Sequence, residues 1–374
     1  MLLTRRQLPG TYSAGMPGEP HFDSDLTNAW QCIRLPKVLL HDHLDGGLRI
    51  PTIIELAAEQ GYRGLPTTDP DDLGMWFHRG AARRSLELYL ETFEHTVAVM
   101  STPEAIERVA YESAIDLAAD GVIYAESRFA PELVASPRMS MERVLRAIRA
   151  GFDRAAAETG IVIQTIVCSL RHLGISAEAA RAAVRSTDYG VVGFDIAGPE
   201  DGYPAADHME AFKVIRDGGL HLTIHAGEAF GIASIKEAIE CGAERIGHGV
   251  RIVDDIASFD PPEFGPIASV VFERQICLEV CPTSNIHTAA AGVRNLGEHP
   301  IDRLVRDGFA VSVNTDNRLM SNLNLSDEYA GLAATFGWDA HVFARTNQTA
   351  CESAFCDEAT KARMRSRLLE PSAS

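Results

Sequence analysis

Short apolar runs recur along this chain and alternate with longer stretches that have the periodicity of helices. Eight of the runs predict strands, and several are almost continuously apolar, as is typical of parallel strands covered on both faces. They lie at Val38–His43, Val122–Phe129, Ile161–Ser169, Val191–Gly198, Leu220–Glu228, Arg245–Gly249, Cys277–Asn285 and Ala310–Asn317. Helices are predicted between them, for example at Ser140–Thr159, Ala206–Asp217 and Ser234–Cys241. This alternation indicates parallel βαβ units.

Eight such units favour an α/β fold of the (β/α)8 TIM-barrel type, although a doubly wound open sheet would give a similar pattern. A long helical insert after strand 1, at about residues 51–120, could form a lid. Residues 1–34 carry Gly, Pro and Ser with little periodicity and predict a loosely structured N-terminal extension. We therefore expect one barrel domain at 35–374.

The composition narrows the possible partners. The chain has 374 residues, of which 46% are hydrophobic, and its formal net charge is −18. Such an acidic chain is a poor match for nucleic acid, which usually requires a basic face. With no run of 18 apolar residues, no apolar signal segment and no Cys-x-x-Cys pair, the sequence favours a cytoplasmic protein with reduced thiols and no membrane partner. It does not fix the oligomeric state.

Polar residues able to bind or work beside a metal ion fall at four predicted strand ends. They are His41 and His43 on the first strand, His225 and Glu228 on the fifth, His248 on the sixth and Asp316 on the eighth. His41 and His43 are two residues apart and point to one face of their strand. In a barrel all these strand ends meet at one face, so that three imidazoles and a carboxylate could hold one divalent cation. We expect the remaining histidines, including His172 and His299, to be solvated or structural.

The chain contains five short motifs, HDHLDG at 41–46, GFDIAG at 193–198, HAGE at 225–228, GHG at 247–249 and NTD at 314–316. In their order and spacing these motifs resemble the adenosine deaminase family of metal-dependent hydrolases. Each motif is short, but their conjunction is specific and extends from about Leu35 to the last strand. The resemblance implies hydrolytic deamination of adenosine and 2′-deoxyadenosine to inosine and deoxyinosine plus ammonia. It also implies one zinc ion per chain and a small purine nucleoside as the substrate.

The resemblance also assigns roles to individual residues. The implied zinc ligands are His41, His43, His225 and Asp316, and the implied catalytic residues are Glu228, His248 and Asp316. Glu228 would protonate ring N1, His248 would orient the attacking hydroxide, and Asp316 would shuttle the second proton. The implied substrate-binding residues are His43, Asp45, Gly198 and Asn317, with Leu86, Tyr89, Leu90 and Phe93 on a gating helix. For those last four an ordinary amphipathic helix face is the alternative, because their spacing is simply helical.

Two positions bear on the substrate. Where well-known members of the family have a second Asp contacting ring N7, this chain has Asn317, whose amide N–H can still donate to N7. Asp45 would hold the ribose 5′-hydroxyl and favours a substrate that carries ribose, since relatives acting on adenine tend to have Glu there. Aminodeoxyfutalosine or adenine remain alternative substrates. A binuclear esterase or lactonase is a further alternative, but none of the four lysines follows a predicted strand as its bridging residue would.

Overall fold

The structure, a computed structural model, describes residues 33–369. Eight parallel strands pair in chain order. They are Lys37–His43, Val122–Phe129, Val162–Leu170, Val191–Ala197, His221–Ala226, Arg245–His248, Cys277–Val280 and Val311–Val313. The first strand also meets the end of the eighth, because the His43 N–H donates to the Asp316 carbonyl at 2.8 Å and the Asp316 N–H donates to the His41 carbonyl at 3.0 Å. These contacts bring the sheet round into the predicted TIM barrel.

Helices fill the segments between the strands. The insert after the first strand is helical, as predicted, with Ile50–Gln60, Pro70–Ala81, Leu86–Leu90, Phe93–Val99 and Pro103–Ala119. The later helices are Met141–Thr159, Ser176–Val184, Met209–Asp217, Ile232–Glu240, Pro266–Glu273, Pro282–His287, Ile301–Arg306, Arg318–Ser321, Leu325–Phe336, Ala340–Ser353 and Glu358–Leu368. An antiparallel hairpin, Ile256–Phe259 with Pro262–Phe264, follows the sixth strand. Within residues 33–369, no helix has the length and apolar character needed to cross a membrane.

The predicted bounds of six strands agree with the structure within two residues, and those of the last two are too long. The seventh strand stops at Val280 because Pro282 begins a helix, and proline at the first helical turn has no N–H to lose. The eighth strand stops at Val313, and the Asn314 side chain accepts the N–H groups of Leu40 and His41 at 2.9 and 3.1 Å. The predicted extension at 1–34 lies almost wholly outside the described residues, and its separation from 35–374 stays a prediction.

Ion pairs fill part of the barrel interior. Arg128 lies between Asp195 and Glu279, at 2.6 and 2.8 Å. Arg245 lies between Glu126 and Glu279, at 2.5 and 2.6 Å. All five side chains are buried, and buried charges of this kind are retained only where partners compensate for lost hydration. The network therefore fixes the positions of Asp195 and Glu279 inside the barrel.

Glu328 gives a prediction about stability. It lies on the helix Leu325–Phe336, is buried, and accepts the Thr283 N–H at 2.9 Å. Burial raises the pKa of Glu328 to about 7. Because the folded state holds this proton more tightly than the unfolded state, the stability that it contributes is lost as the pH rises through about 7.

Replacing Glu328 by Gln should remove this loss. We expect Glu328→Gln to be more stable than the parent at pH 8, by on the order of 2–3 kcal/mol, with much less gain at pH 5. Urea unfolding at both pH values measures the difference. The matched control is Glu104→Gln at an exposed carboxyl, which should follow the parent at both. A gain in stability that is equal at pH 5 and pH 8 would contradict a raised pKa of Glu328.

Candidate active site

Four of the predicted side chains converge at the carboxyl ends of the first, fifth and eighth strands. The Nε2 atoms of His41 and His43 each lie 3.4 Å from Oδ1 of Asp316. The Nε2 atoms of His43 and His225 are also 3.4 Å apart. One ligand atom from each of the four residues lies within 4.8 Å of all the others. The structure thus brings together the four side chains that we predicted as metal ligands.

Two of these imidazoles have a carboxylate next to Nδ1, the ring nitrogen on the side away from the other candidate ligands. Glu279 Oε2 lies 2.9 Å from Nδ1 of His41, and Asp195 Oδ2 lies 2.8 Å from Nδ1 of His225. A carboxylate at Nδ1 holds the proton on that nitrogen and leaves Nε2 with a free lone pair. In their neutral forms, His41 and His225 therefore present Nε2 lone pairs to the same point.

The donor set fits a divalent metal ion. His41 Nε2 is buried and makes no hydrogen bond of normal geometry with another described residue. Burial lowers the pKa of His43 and of His225, so both imidazoles are neutral at neutral pH, as metal binding requires. Three imidazoles and one carboxylate match the ligands that zinc takes in proteins. These four residues could hold one such ion.

Glu228 and His248 lie beside this group. Glu228 follows the fifth strand, and its Oε2 lies 3.5 Å from Nε2 of His248. Burial raises the pKa of Glu228 well above its usual value, and the charges of Asp316 and Glu200 raise it further. A buried carboxyl that keeps its proton at neutral pH can act as a general acid. Burial also lowers the pKa of His248, which is therefore neutral.

Backbone conformation is unusual at two of these positions. His248 and Asp316 both have φ of +59°, in the left-handed region that non-glycine residues rarely occupy. Asp316 is held by Ser284, whose hydroxyl donates to Oδ2 at 2.5 Å. Burial opposes ionisation of Asp316, but the neighbouring imidazoles of His41, His43 and His248 hold its pKa well below the usual value. Such local backbone strain is common at functional sites.

A cavity of about 540 Å³ opens above the group. All the predicted site residues except His41 line it, and His41 lies fully buried beneath. Apolar residues form most of the wall, including Leu86, Tyr89, Leu90 and Phe93 from the helical insert. The insert thus contributes these four side chains to the wall of the cavity above the strand ends, and their role as a gating segment stays a prediction.

The residues predicted to bind substrate line different parts of this cavity. Asp45 is buried in a short 3-10 turn after the first strand, and burial raises its pKa to about 7. Gly198 follows the fourth strand with φ of +93°. Asn317 lies against Gly46, where even one added Cβ would come within 2.0 Å of Asn317 Oδ1. The glycine that ends the HDHLDG motif therefore makes room for Asn317.

The structure also places residues that the sequence left open. Arg318, next to Asn317, pairs with Asp42 at 2.9 Å and donates to Ser113 at 2.7 Å. The third strand extends to Leu170, so that His172 follows its carboxyl end and lines the cavity. We had expected His172 to be solvated or structural. Asp195 and Glu279 were missed as partners of ligands. The sequence did contain a signal for both, because each is an acidic residue inside an apolar run predicted as a strand, Asp195 in VVGFDI and Glu279 in CLEV.

Comparison with known proteins agrees with this geometry. The model of the adenosine deaminase family matches residues 36–371. A protein named adenosine deaminase from Mycobacterium marinum is 51% identical over 328 residues, which cover 86% of this chain and 90% of the relative. Both matches extend over nearly the whole region that carries the barrel and its site.

Two solved structures share the fold. An adenine deaminase from Arthrobacter aurescens has a TM-score of 0.80 at 23% identity, covering 89% of this chain and 98% of the other. An amidohydrolase from Burkholderia ambifaria, with bound Zn, has a TM-score of 0.76 at 24% identity, covering 91% of each chain. At these identities the two solved structures support the barrel fold alone. Membership of the family is shown by the family model and by the relative that is 51% identical. The chain belongs to the adenosine deaminase family.

Proposed function

We propose that this protein catalyses the hydrolytic deamination of adenosine and 2′-deoxyadenosine, giving inosine and deoxyinosine plus ammonia. The observation that carries the proposal is the position of the buried Glu228 carboxyl, 3.5 Å from His248 and beside four convergent candidate metal ligands. The names of the family and of the 51% identical relative support the same reaction. The zinc in the Burkholderia amidohydrolase supports zinc as the ion.

In this reaction each side chain of the site acts on one atom of the substrate or of the attacking water. A zinc ion held by His41, His43, His225 and Asp316 would supply a nucleophile at neutral pH by lowering the pKa of water to about 7. Glu228 donates its proton to purine N1, which makes C6 electrophilic. His248 donates from its ring to the attacking oxygen and orients it towards C6.

Asp316 completes the proton balance. It takes one proton from the attacking water and delivers it to the amino group, which leaves C6 as ammonia. The second proton of the water returns to Glu228 when the C6 carbonyl forms. Because its pKa is low, Asp316 is ionised before the reaction and carries no proton of its own, which leaves a carboxylate oxygen free to receive the first of these protons in passing.

The cavity supports a nucleoside rather than a free base. Asp45 would hold the ribose 5′-hydroxyl, the Gly198 N–H would donate to N3, and the Asn317 amide would donate to N7. The side chains of the insert would cover the purine and exclude water. With about 540 Å³, the cavity is of the size that binds small organic ligands.

A substrate panel tests the proposal. Ammonia release is measured with adenosine, 2′-deoxyadenosine, adenine and aminodeoxyfutalosine, on zinc-loaded enzyme and on a chelated control. We expect the two nucleosides to have the highest kcat/KM. Preference for adenine or aminodeoxyfutalosine would reassign the substrate, and no turnover of any 6-aminopurine would refute the reaction.

The charge of the cavity predicts discrimination against phosphorylated substrates. Among the described residues that line it, none is Lys or Arg, whereas Glu91, Glu94 and Asp45 are acidic. A 5′-phosphate would lose hydration without gaining a cationic partner. We expect kcat/KM for AMP to be at least about a hundredfold below that for adenosine, a difference of about 2.7 kcal/mol. The measurement is AMP turnover at low ionic strength, with a phosphatase added as the positive control. Comparable rates for the two substrates would disprove the charge argument.

A further inference from the structure

A line of buried polar groups runs from His248 away from the cavity. Asn285, on the helix Pro282–His287, has Nδ2 3.1 Å from Nδ1 of His248. Its Oδ1 lies 3.2 Å from Nε2 of His299. The N–H of Ile301, at the start of the helix Ile301–Arg306, donates to Nδ1 of His299 at 3.1 Å. Asn285 and His299 are buried, and neither is a candidate ligand or a wall of the cavity.

The direction of each hydrogen bond follows from the last one. A main-chain N–H can only donate, so Nδ1 of His299 must accept. Burial lowers the pKa of His299 to about 3, so the ring is neutral and carries its single proton on Nε2. That proton goes to Asn285 Oδ1. The amide nitrogen of Asn285 then has to face His248 and donate to its Nδ1.

We propose that Asn285 and His299 are positioning residues that set the tautomer of His248. Because the Asn285 amide donates to Nδ1, that nitrogen carries no proton, and the proton of His248 lies on Nε2, the nitrogen that is 3.5 Å from Glu228 and next to the reacting centre. The role in catalysis rests on the proposed function, since the Nε2 proton is the one that His248 would donate to the attacking oxygen. The opposite tautomer would present a lone pair there and repel that oxygen.

The tautomer can be read directly in the zinc-loaded parent enzyme. Long-range ¹H–¹⁵N correlation spectra of ¹⁵N-histidine-labelled protein distinguish protonated from unprotonated ring nitrogens, and a His248→Gln sample identifies the His248 signals by their loss. We expect Nδ1 to be unprotonated and Nε2 protonated. A protonated Nδ1 in the parent would overturn the inference, even if adenosine is turned over. Absence of adenosine turnover would instead count against the proposed function, because the tautomer does not depend on it.

Two substitutions of Asn285 separate positioning from structure. In Asn285→Asp a carboxylate faces Nδ1 and attracts the proton to that nitrogen, although it still accepts from His299. In Asn285→Leu both hydrogen bonds are lost and the tautomer is left unset. A structural role predicts that Asp, the closer mimic, is the milder change. The tautomer role predicts that Asp is the more damaging change for turnover.

We expect Asn285→Asp to lower kcat by about tenfold to a hundredfold with little change in KM, as when outer hydrogen bonds to active-site groups are lost. Asn285→Leu should lower kcat less, although it lowers the melting temperature more. Zinc content is measured on both variants, and His208→Gln, at a buried histidine bonded to Ser176, is the control. Two results would refute the inference. One is an Asp variant that is at least as active as the Leu variant, and the other is a fall in kcat that the measured loss of bound zinc fully explains. If neither variant folds, the spectrum of the parent decides.

Discussion

Glu228→Gln is expected to lower kcat by about 10²- to 10⁴-fold, the usual contribution of a general acid or base. Glutamine has nearly the same size and its amide N–H can still bond to purine N1, so KM should change little. It cannot transfer a proton, so N1 stays unprotonated and C6 stays a poor electrophile. Glu228 is not among the four candidate ligands, and zinc content should therefore match that of the parent. Steady-state kinetics and metal analysis of one preparation measure both effects.

The pH profile gives an independent check on Glu228. Because burial raises its pKa well above the usual value, kcat/KM should fall as the pH rises through that pKa, where the carboxyl loses the proton that it donates. The residual activity of the Gln variant should lack this alkaline limb. Glu132→Gln is the matched control, since Glu132 is partly buried and also has a raised pKa, but it accepts the Leu170 N–H and does not line the cavity. A Gln variant of Glu228 with more than about a tenth of the parent kcat would exclude Glu228 as the proton donor.

The strands and the convergence of the ligands could be predicted because both depend on local sequence. Apolar runs of strand length mark buried parallel strands, and residues at their carboxyl ends meet wherever the barrel closes. His41 and His43 also share a face by strand periodicity. The last two strands were predicted too long because the predictions continued into the polar segments after Cys281 and Val313. The structure places those segments outside the strands, since Pro282 begins a helix and the Asn314 side chain bonds to the first strand.

The supporting partners were not predictable in the same way. Glu279 meets His41 across 238 positions of sequence, and Asn285 meets His248 across 37. Such contacts depend on how neighbouring strands and helices pack, which no local pattern encodes. For Asp195 and Glu279 the burial of an acid in an apolar run was a usable hint. Asn285 was predicted only as the end of the seventh strand and His299 only as solvated or structural, and no sequence pattern pairs either residue with His248.

Loss of the metal should be the other large effect. Chelation is expected to abolish adenosine turnover, and addition of about one equivalent of zinc per chain should restore it. An ion held by the four candidate ligands would also stabilise the fold, because they come from three strand ends that the unfolded chain cannot hold together. At a free zinc concentration a thousandfold above Kd this stabilisation is about 4 kcal/mol, and chelation should lower the melting temperature by several degrees.

His41→Gln is the corresponding substitution, because His41 is a buried candidate ligand and lies outside the cavity wall. The Gln amide can still donate a hydrogen bond to the buried Glu279 carboxylate, as the imidazole does in the parent. It does not replace the Nε2 lone pair that would bind the metal. We expect little bound zinc, a melting temperature near that of the chelated parent, and turnover that added zinc does not restore. His208→Gln should behave as the parent in all three measurements. Full zinc binding by His41→Gln would remove His41 from the site, and two ions per parent chain would favour the binuclear hydrolase alternative over a single-ion deaminase.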